Sequence, residues 1–250
     1  MMEIIMNALR KMTWVEFKLA LREPIATFFT LVFPVLILFL FGSIYGNEPS
    51  EFLGGRGSVD NSVPGYIAMV IATTGMMSLP IGLATYRELG VLRRYRATPL
   101  RPQTLLGARI IVHTLISVIG AAVLLAAGVL VYDMVLPVNT PALILAFLLG
   151  NVSFLAVGFL LASVLPNANT ATAVGMALLY PMLFLSGAGL PREILPDNLV
   201  TFGNFLPLTH VVDLLKDVWY NNTWNLTALA VVIGMMLVAS AVSVRTFRWE

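Results

Sequence analysis

The sequence predicts an all-α membrane protein with six transmembrane helices in a single domain over residues 1–250. Of its 250 residues, 58% are hydrophobic and 11% are charged, and the mean hydropathy is +0.88. Soluble domains carry about 25% charged residues, so this chain cannot cover a water-facing surface. In addition, apolar stretches of about 20 residues, enough to cross a bilayer, recur along the chain with short polar loops between them.

The chain has no cysteine, which excludes disulfides, thiol nucleophiles and cysteine metal sites. Residues 1–24 do not match a signal peptide, because charged residues interrupt any apolar core. We therefore expect the first transmembrane helix to direct insertion. Residues 1–23 instead predict an amphipathic elbow helix at the membrane surface. Its apolar stripe consists of Ile5, Leu9, Met12, Val15 or Glu16, and Leu19. The basic residues Arg10, Lys11, Lys18 and Arg22 lie on other faces.

The expected spans cover residues 24–46, 63–86, 105–132, 141–165, 170–188 and 226–244. Pro34 removes a backbone hydrogen bond inside the first span, and neighbouring helices usually compensate for such a loss. The acidic, glycine-containing loop 47–62 is expected to be flexible. Region 189–225 holds two apolar patches too short to cross, which predict extracellular re-entrant or interfacial helices.

The segment from Tyr86 to Arg109 is strongly basic, with six arginines against the single acid Glu88. One arginine at the bilayer centre costs about 2.5–3.5 kcal/mol on insertion scales, so this segment is expected to lie in water. Within segment 87–98, residues 87–97 predict a short amphipathic helix with Leu89, Leu92 and Tyr95 on one face. A rigid element of this kind, joined to two spans, could transmit a push from a partner.

The distribution of lysine and arginine predicts the orientation. With six spans both termini lie on one side, and that side holds twelve of the fifteen basic residues, whereas the other holds Arg56, Arg192 and Lys216. Because positive charge favours the cytoplasm, both termini and the basic segment are predicted to be cytoplasmic.

Candidate catalytic groups are sparse. Every acid is expected in a loop or at the end of a span. His113 is interpreted as an interfacial or hydrogen-bonded histidine, with a proton role as the alternative. His210, with Asp213 three residues later, is interpreted as part of a helix polar face, with a metal or hydrolytic site as the alternative. The Gly54-Gly55-Arg56-Gly57 run lacks the Lys-Ser/Thr ending of a P-loop.

Several motifs resemble the membrane subunit of type-2 ABC transporters, in particular the small daunorubicin-resistance-like permeases. The resemblance covers nearly the whole chain: an elbow helix, Arg22-Glu23-Pro24 opening span one, six spans, and Pro207-Leu208-Thr209-His210 in the later region. Tyr86-Arg87-Glu88-Leu89-Gly90 followed by Ala97-Thr98-Pro99-Leu100 is its most specific part. His210 departs from the pattern, since a tyrosine is common there in relatives.

The resemblance implies that segment 87–98 is a coupling helix that contacts a separate ABC ATPase. The matching coupling positions are Glu88, Gly90, Arg93, Arg94 and Pro99. Glu88 is expected to pair with a basic residue of the ATPase, the arginines with its acids, and Gly90 to permit close approach. The resemblance also implies two permease subunits, ATP and Mg on the ATPase but no cofactor on this chain, and a substrate path lined by Thr73, Thr74, Met76, Met77, Thr172, Met176 and Phe184.

These features predict a permease that is not itself an enzyme and that exports an amphiphilic compound, such as a drug or lipid, across the bacterial or archaeal inner membrane. Three alternatives remain at this point. An ion-coupled secondary transporter would need carboxylates in mid-membrane. A lipid-modifying enzyme would need a buried cluster of histidines or acids, and a scaffold or sensor would need neither.

Overall fold

A computed structural model describes residues 2–96 and 102–246 of the chain. These ranges form ten longer helices, two short 3-10 helices (Glu51–Leu53 and Arg192–Ile194) and no strand. The helices are α1 (Met2–Ala20), α2 (Pro24–Tyr45), α3 (Ser58–Glu88), α4 (Val91–Arg96), α5 (Pro102–Tyr132), α6 (Thr140–Val164), α7 (Ala168–Leu185), α8 (Asp197–Gly203), α9 (Pro207–Asn221) and α10 (Leu226–Thr246).

Within the described residues, six helices are long and apolar enough to cross a membrane: α2, α3, α5, α6, α7 and α10. The predicted fold class is therefore confirmed, and the ends of most spans fall within a few residues of those predicted. The largest difference is that α3 begins at Ser58 rather than at residue 63. Its first turn holds the buried residues Val59 and Asn61, so this turn belongs to the packed body and not to a loop.

Helix α3 is the centre of the domain. In its most apolar stretch 94% of the residues are buried inside the chain, compared with 22% for α10 and 28% each for α2 and α7. Spans α2, α5, α6 and α7 pack around α3, whereas α10 packs against α6 and α9. These outer spans keep one face outward, as membrane helices do when their outer faces meet lipid. A displacement at either end of α3 would consequently reach most of the domain.

Two of the spans, α2 and α3, each contain a π-helical turn just before a proline. Residues Phe28–Val32 precede Pro34 in α2, and Thr74–Ser78 precede Pro80 in α3. A proline lacks the N–H that would bind the carbonyl four residues earlier, and its ring pushes that carbonyl aside. The two carbonyls concerned, of Thr30 and Met76, both point at glycines of neighbouring helices.

Glycines let these freed carbonyls pack closely. A Cβ placed on Gly120 of α5 would lie 3.2 Å from the Thr30 oxygen, and one on Gly175 of α7 would lie 2.7 Å from the Met76 oxygen. A Cβ on Gly158 of α6 would lie only 2.1 Å from the oxygen of Gly75. Small residues of this kind allow membrane helices to approach with their backbones in contact. The neighbouring helices thus accommodate the two prolines, as the sequence predicted for Pro34.

The loop between α2 and α3, predicted to be flexible, is held by hydrogen bonds. Asn47 Nδ2 donates to the Tyr132 carbonyl at 3.0 Å, and Asn47 Oδ1 accepts from the Asp60 backbone N–H at 3.0 Å. The backbones of Ser50 and Arg56 pair across the loop. One asparagine thus links this loop to the ends of α3 and α5, and the flexibility of the loop stays a prediction.

Region 189–225 forms the short helices α8 and α9. Helix α9 is amphipathic and buries its apolar face against α3, α6 and α10. Its Tyr220 hydroxyl donates to the Asp60 carbonyl, and the Arg56 guanidinium lies 3.9 Å from the centre of the Tyr220 ring. Both helices are too short to span, as expected, and their depth in the membrane stays a prediction.

Candidate coupling site

Four helices meet at the end of α3 that the sequence predicts to be cytoplasmic. An apolar cluster, called here the coupling cluster, joins α1, α3, α4 and the start of α5. Leu92 of α4 is fully enclosed within it. Burying an apolar side chain of this size contributes about 1.5–3 kcal/mol, so α4 is firmly attached to its neighbours. The members of the coupling cluster are Leu9, Met12, Tyr86, Val91, Leu92, Leu105 and Ala108.

A buried ion pair lies beside the coupling cluster. Arg109 Nε is 3.1 Å from Glu16 Oε2, although the two are not aligned for a hydrogen bond, and the side chains are only 4% and 3% exposed. The Tyr86 hydroxyl donates to Glu16 Oε1 at 3.0 Å, and its ring lies 4.1 Å from the Arg109 guanidinium carbon. These three residues connect α1, α3 and α5 through charge as well as through packing.

Glu23, between α1 and α2, adds a second carboxylate to this site. A Cβ on Gly82 of α3 would lie 2.6 Å from Arg109 Nη1 and 3.1 Å from Glu23 Oε1, so the glycine makes room for both groups. Burial raises the pKa of Glu16 and of Glu23 above their usual values, while Arg109 acts in the opposite direction. The arrangement therefore depends on one guanidinium that serves two carboxyls.

The Arg87-Glu88 pair of the basic segment binds the turn between α6 and α7. Arg87 donates to the carbonyls of Leu165 at 2.7 Å and Ala162 at 2.9 Å, at the end of α6. Glu88 Oε1 accepts from the Ala168 backbone N–H at 3.2 Å, at the start of α7. A cation thus lies at a helix C-terminus and an anion at a helix N-terminus, the charge arrangement that helix dipoles favour.

Two expectations from the basic segment need correction. Arg109 and Arg87 do not simply face water, since Arg109 is enclosed by protein and Arg87 binds buried carbonyls. A buried arginine is acceptable when a carboxylate or several carbonyls satisfy it, and the argument from insertion cost did not allow for such partners. Glu88, expected to face an ATPase, also has a partner within this chain.

The predicted continuous helix from residue 87 was wrong, because the chain turns at Leu89 and Gly90. Helix α3 continues to Glu88, and α4 begins at Val91 after Gly90, whose φ of +65° lies in the left-handed region. Nothing lies within 4 Å of a Cβ at Gly90, so this glycine serves the turn rather than close approach. The turn separates Leu89 from Leu92, leaving Leu89 66% exposed.

The turn presents a mixed apolar and basic surface, called here the tip, consisting of Glu88, Leu89, Arg93 and Arg94. All four side chains are exposed, and both arginines belong to α4. Pro99, the remaining predicted coupling residue, lies outside the described residues. Leu89 is a candidate that the sequence argument missed, since the assumed continuous helix placed it on the buried face.

The residues predicted to line a substrate path lie apart from this site. Thr73, Thr74, Met76 and Met77 are at most 3% exposed, and both threonine hydroxyls donate to backbone carbonyls of α3. On α7, Phe184 is exposed, Met176 is half-buried, and half-buried Thr172 donates to the Ala168 carbonyl. The four residues of α3 are thus enclosed within one chain, and the path assignment stays a prediction.

Both histidine side chains are at least partly buried within the protein. His113 of α5 is 2% exposed with Nδ1 3.4 Å from the Ser78 hydroxyl, which agrees with its interpretation as a hydrogen-bonded histidine. His210 is half-buried on α9, and its neighbour Asp213 forms an ion pair with Arg192 at 3.8 Å. Burial raises the pKa of Asp213, which Arg192 partly opposes.

The buried pair of Glu16 and Arg109 could have been found from the sequence. Glu16 falls in the apolar stripe of the amphipathic α1, and Arg109 follows the first residues of a long apolar run. A charged residue at a core-facing position is expensive unless it is paired, so opposite charges on neighbouring helices are candidates for each other. What the sequence lacks is the evidence that α1 crosses α5 at this height.

Comparison with known proteins identifies the family of this chain. Residues 7–220 match the family model described as ABC-2 type transporter. The chain belongs to this family. It is 27% identical over 209 residues to the putative transport permease YvfS of Bacillus subtilis, covering 82% of both chains. It is 24% identical to the putative transport permease ycf38 of Porphyra purpurea, over 85% of this chain and 74% of that one.

A third relative is the probable multidrug ABC transporter permease YbhR of Escherichia coli K12, 22% identical over 69% of this chain and 49% of the relative. As an ABC-2 type permease, the chain is an integral membrane protein and the membrane subunit of an ABC transporter. Membership in the family implies pairing with an ABC ATPase.

Proposed function

We propose that this permease exports an amphiphilic compound across the inner membrane, driven by a separate ATPase that binds the tip. One relative carries the name of a probable multidrug ABC transporter permease, which supports a drug-like cargo. In this proposal the permease works as a pair of identical subunits, has both termini in the cytoplasm, and binds no cofactor itself. ATP and Mg²⁺ are held by the ATPase.

The observation that carries the proposal is the combination of exposure and rigid attachment at the tip. Leu89 supplies an apolar anchor, and Arg93 and Arg94 supply two cations within two turns of it. Protein interfaces commonly combine an apolar anchor with arginines in this way. Directly behind these side chains, Leu92 is fully buried in the coupling cluster, so a force on α4 acts on packed helices.

Three connections would distribute that force. The coupling cluster passes it to α1 and α5, the ion pair of Glu16 and Arg109 reinforces the same link, and Arg87 with Glu88 passes it to α6 and α7. Closure of the ATPase would then move α3 together with the helices around it. The residues proposed for the path on α3, Thr73 to Met77, lie about three to four turns from the tip and overlap its π-helical turn.

Charge reversal at the tip tests the proposal. The double variant Arg93→Glu/Arg94→Glu should lose ATPase during co-purification and lose ATP-dependent transport in proteoliposomes. The matched control Arg22→Glu/Arg245→Glu reverses two exposed charges elsewhere and should keep both. Normal ATPase recovery with the tip variant would show that docking is placed wrongly. Loss of both activities in the control as well would show that net charge, and not the tip, matters.

A further inference from the structure

A groove runs between α1 and α5. It encloses about 940 Å³. The α5 wall is a stripe of Ile111, Leu115 and Ile119, each about 40% exposed and one turn apart. The α1 wall is longer and mixed, and it consists of Met6, Asn7, Leu9, Arg10, Lys11, Thr13, Trp14 and Phe17.

The described charged residues that line the groove are all on the α1 wall and are all basic. Arg10 and Lys11 both line it and both are exposed, and the lining among the described side chains includes no acid. Trp14 lies beside them with the Lys18 ammonium 4.8 Å from its ring. Tryptophan and snorkelling basic side chains are typical of the headgroup level of a bilayer.

The apolar wall has the dimensions of half a bilayer. From Ile111 to Ile119 the helix rises about 12 Å at 1.5 Å per residue, close to one leaflet of a hydrocarbon core about 30 Å thick. A groove that combines two cations with an apolar stripe of this length fits a molecule with an anionic head and a long apolar tail.

We propose that this groove binds an anionic phospholipid, with its headgroup at Arg10 and Lys11 and one acyl chain along Ile111, Leu115 and Ile119. Charge complementarity distinguishes this occupant from a zwitterionic lipid, and the apolar α5 wall distinguishes it from a soluble anion. The bound lipid lies on the same helix that carries Glu16. The binding site itself does not depend on the proposed export function or on an ATPase.

Lipid titration of the purified permease tests the site. Native mass spectrometry of the detergent-solubilised protein, with phosphatidylglycerol or phosphatidylcholine of identical acyl chains, gives the apparent Kd of each adduct. Each basic residue near a membrane surface contributes roughly a five-fold change in affinity for anionic lipid. Wild type should therefore prefer phosphatidylglycerol by roughly ten-fold or more, and Arg10→Gln/Lys11→Gln should remove most of that preference.

Two further variants separate the groove from general attraction. Arg22→Gln/Arg245→Gln removes the same charge from exposed positions outside the groove and should retain the preference. Leu115→Trp fills the apolar wall without changing charge and should weaken both lipids. The proposal would be overturned if the two charge variants lowered the lipid preference equally, or if wild type bound the two lipids equally. Full lipid binding by Leu115→Trp would also overturn it.

Discussion

Arg109 of α5 and Glu16 of α1 form an ion pair of 3.1 Å in which both side chains are almost completely buried. Glu23 lies near the same guanidinium across Gly82. The pair fixes the amphipathic N-terminal helix to α5, and the hydrogen bond from Tyr86 to Glu16 links it to α3. Removing one partner of a buried pair leaves an uncompensated charge, which makes this site sensitive to substitution.

The two partners should differ in what their loss costs. Arg109→Gln leaves two carboxyls without their cation and should lower the free energy of unfolding by about 3–5 kcal/mol. Glu16→Gln should cost less, because the neutral amide still accepts from Tyr86 and Arg109 keeps Glu23 nearby. Thermal unfolding in detergent measures both. An equal or larger loss in Glu16→Gln would mean that Arg109 does not serve both carboxyls.

Acidification should partly rescue Arg109→Gln. Burial raises the pKa of Glu16 and Glu23 in the folded state, and the loss of Arg109 removes the main group that opposes this rise. A carboxyl with a raised folded-state pKa binds protons preferentially in the folded state, so its contribution to stability increases as the pH falls. The difference in melting temperature between wild type and the variant should shrink from pH 7.5 to pH 5.5. A constant or growing difference would contradict the buried site.

Gly90 should be required for its backbone conformation alone. With φ of +65° and open space around its Cβ position, Gly90→Asn should be tolerated, because asparagine adopts the left-handed region readily. Gly90→Val should cost roughly 1–2 kcal/mol and should reduce ATPase recovery by misplacing α4. Thermal unfolding and co-purification measure the two effects. Equal behaviour of the two variants would show that the turn geometry is unimportant.

Gly158 should tolerate no side chain. A Cβ there would lie 2.1 Å from the Gly75 carbonyl oxygen, so Gly158→Ala forces α6 away from α3 and should cost about 1–3 kcal/mol. Gly234→Ala in α10 is the matched control, since nothing lies within 4 Å of its Cβ position. The control should melt like wild type. A Gly158→Ala protein of unchanged stability would contradict the close packing of these spans.

Much of the fold could be predicted because apolar length determines membrane spans directly. The positions of α2, α5, α6, α7 and α10 followed from hydropathy alone. The break at Gly90 was missed because Leu89, Leu92 and Tyr95 have helical spacing, and spacing does not reveal a left-handed residue. The rule that glycine favours such conformations could have raised the possibility.

The polar contacts of the candidate site were less predictable. Arg87 and Glu88 appeared to be surface residues, since their partners are backbone groups of α6 and α7 far along the chain. Backbone carbonyls and N–H groups at helix ends leave no mark in the side-chain pattern. Burial of Glu16 likewise depends on which helix covers α1, and this is a property of the tertiary structure.

In the proposed mechanism, the tip contacts the ATPase directly. Because the chain has no cysteine, Leu89→Cys introduces a single thiol at the tip, and Val138→Cys places one at the exposed turn between α5 and α6, at the far end of α5. A thiol-directed photocrosslinker applied to the co-expressed complex should join residue 89, but not residue 138, to the ATPase. Crosslinking from 138, or none from 89 in a complex that still transports, would contradict the account.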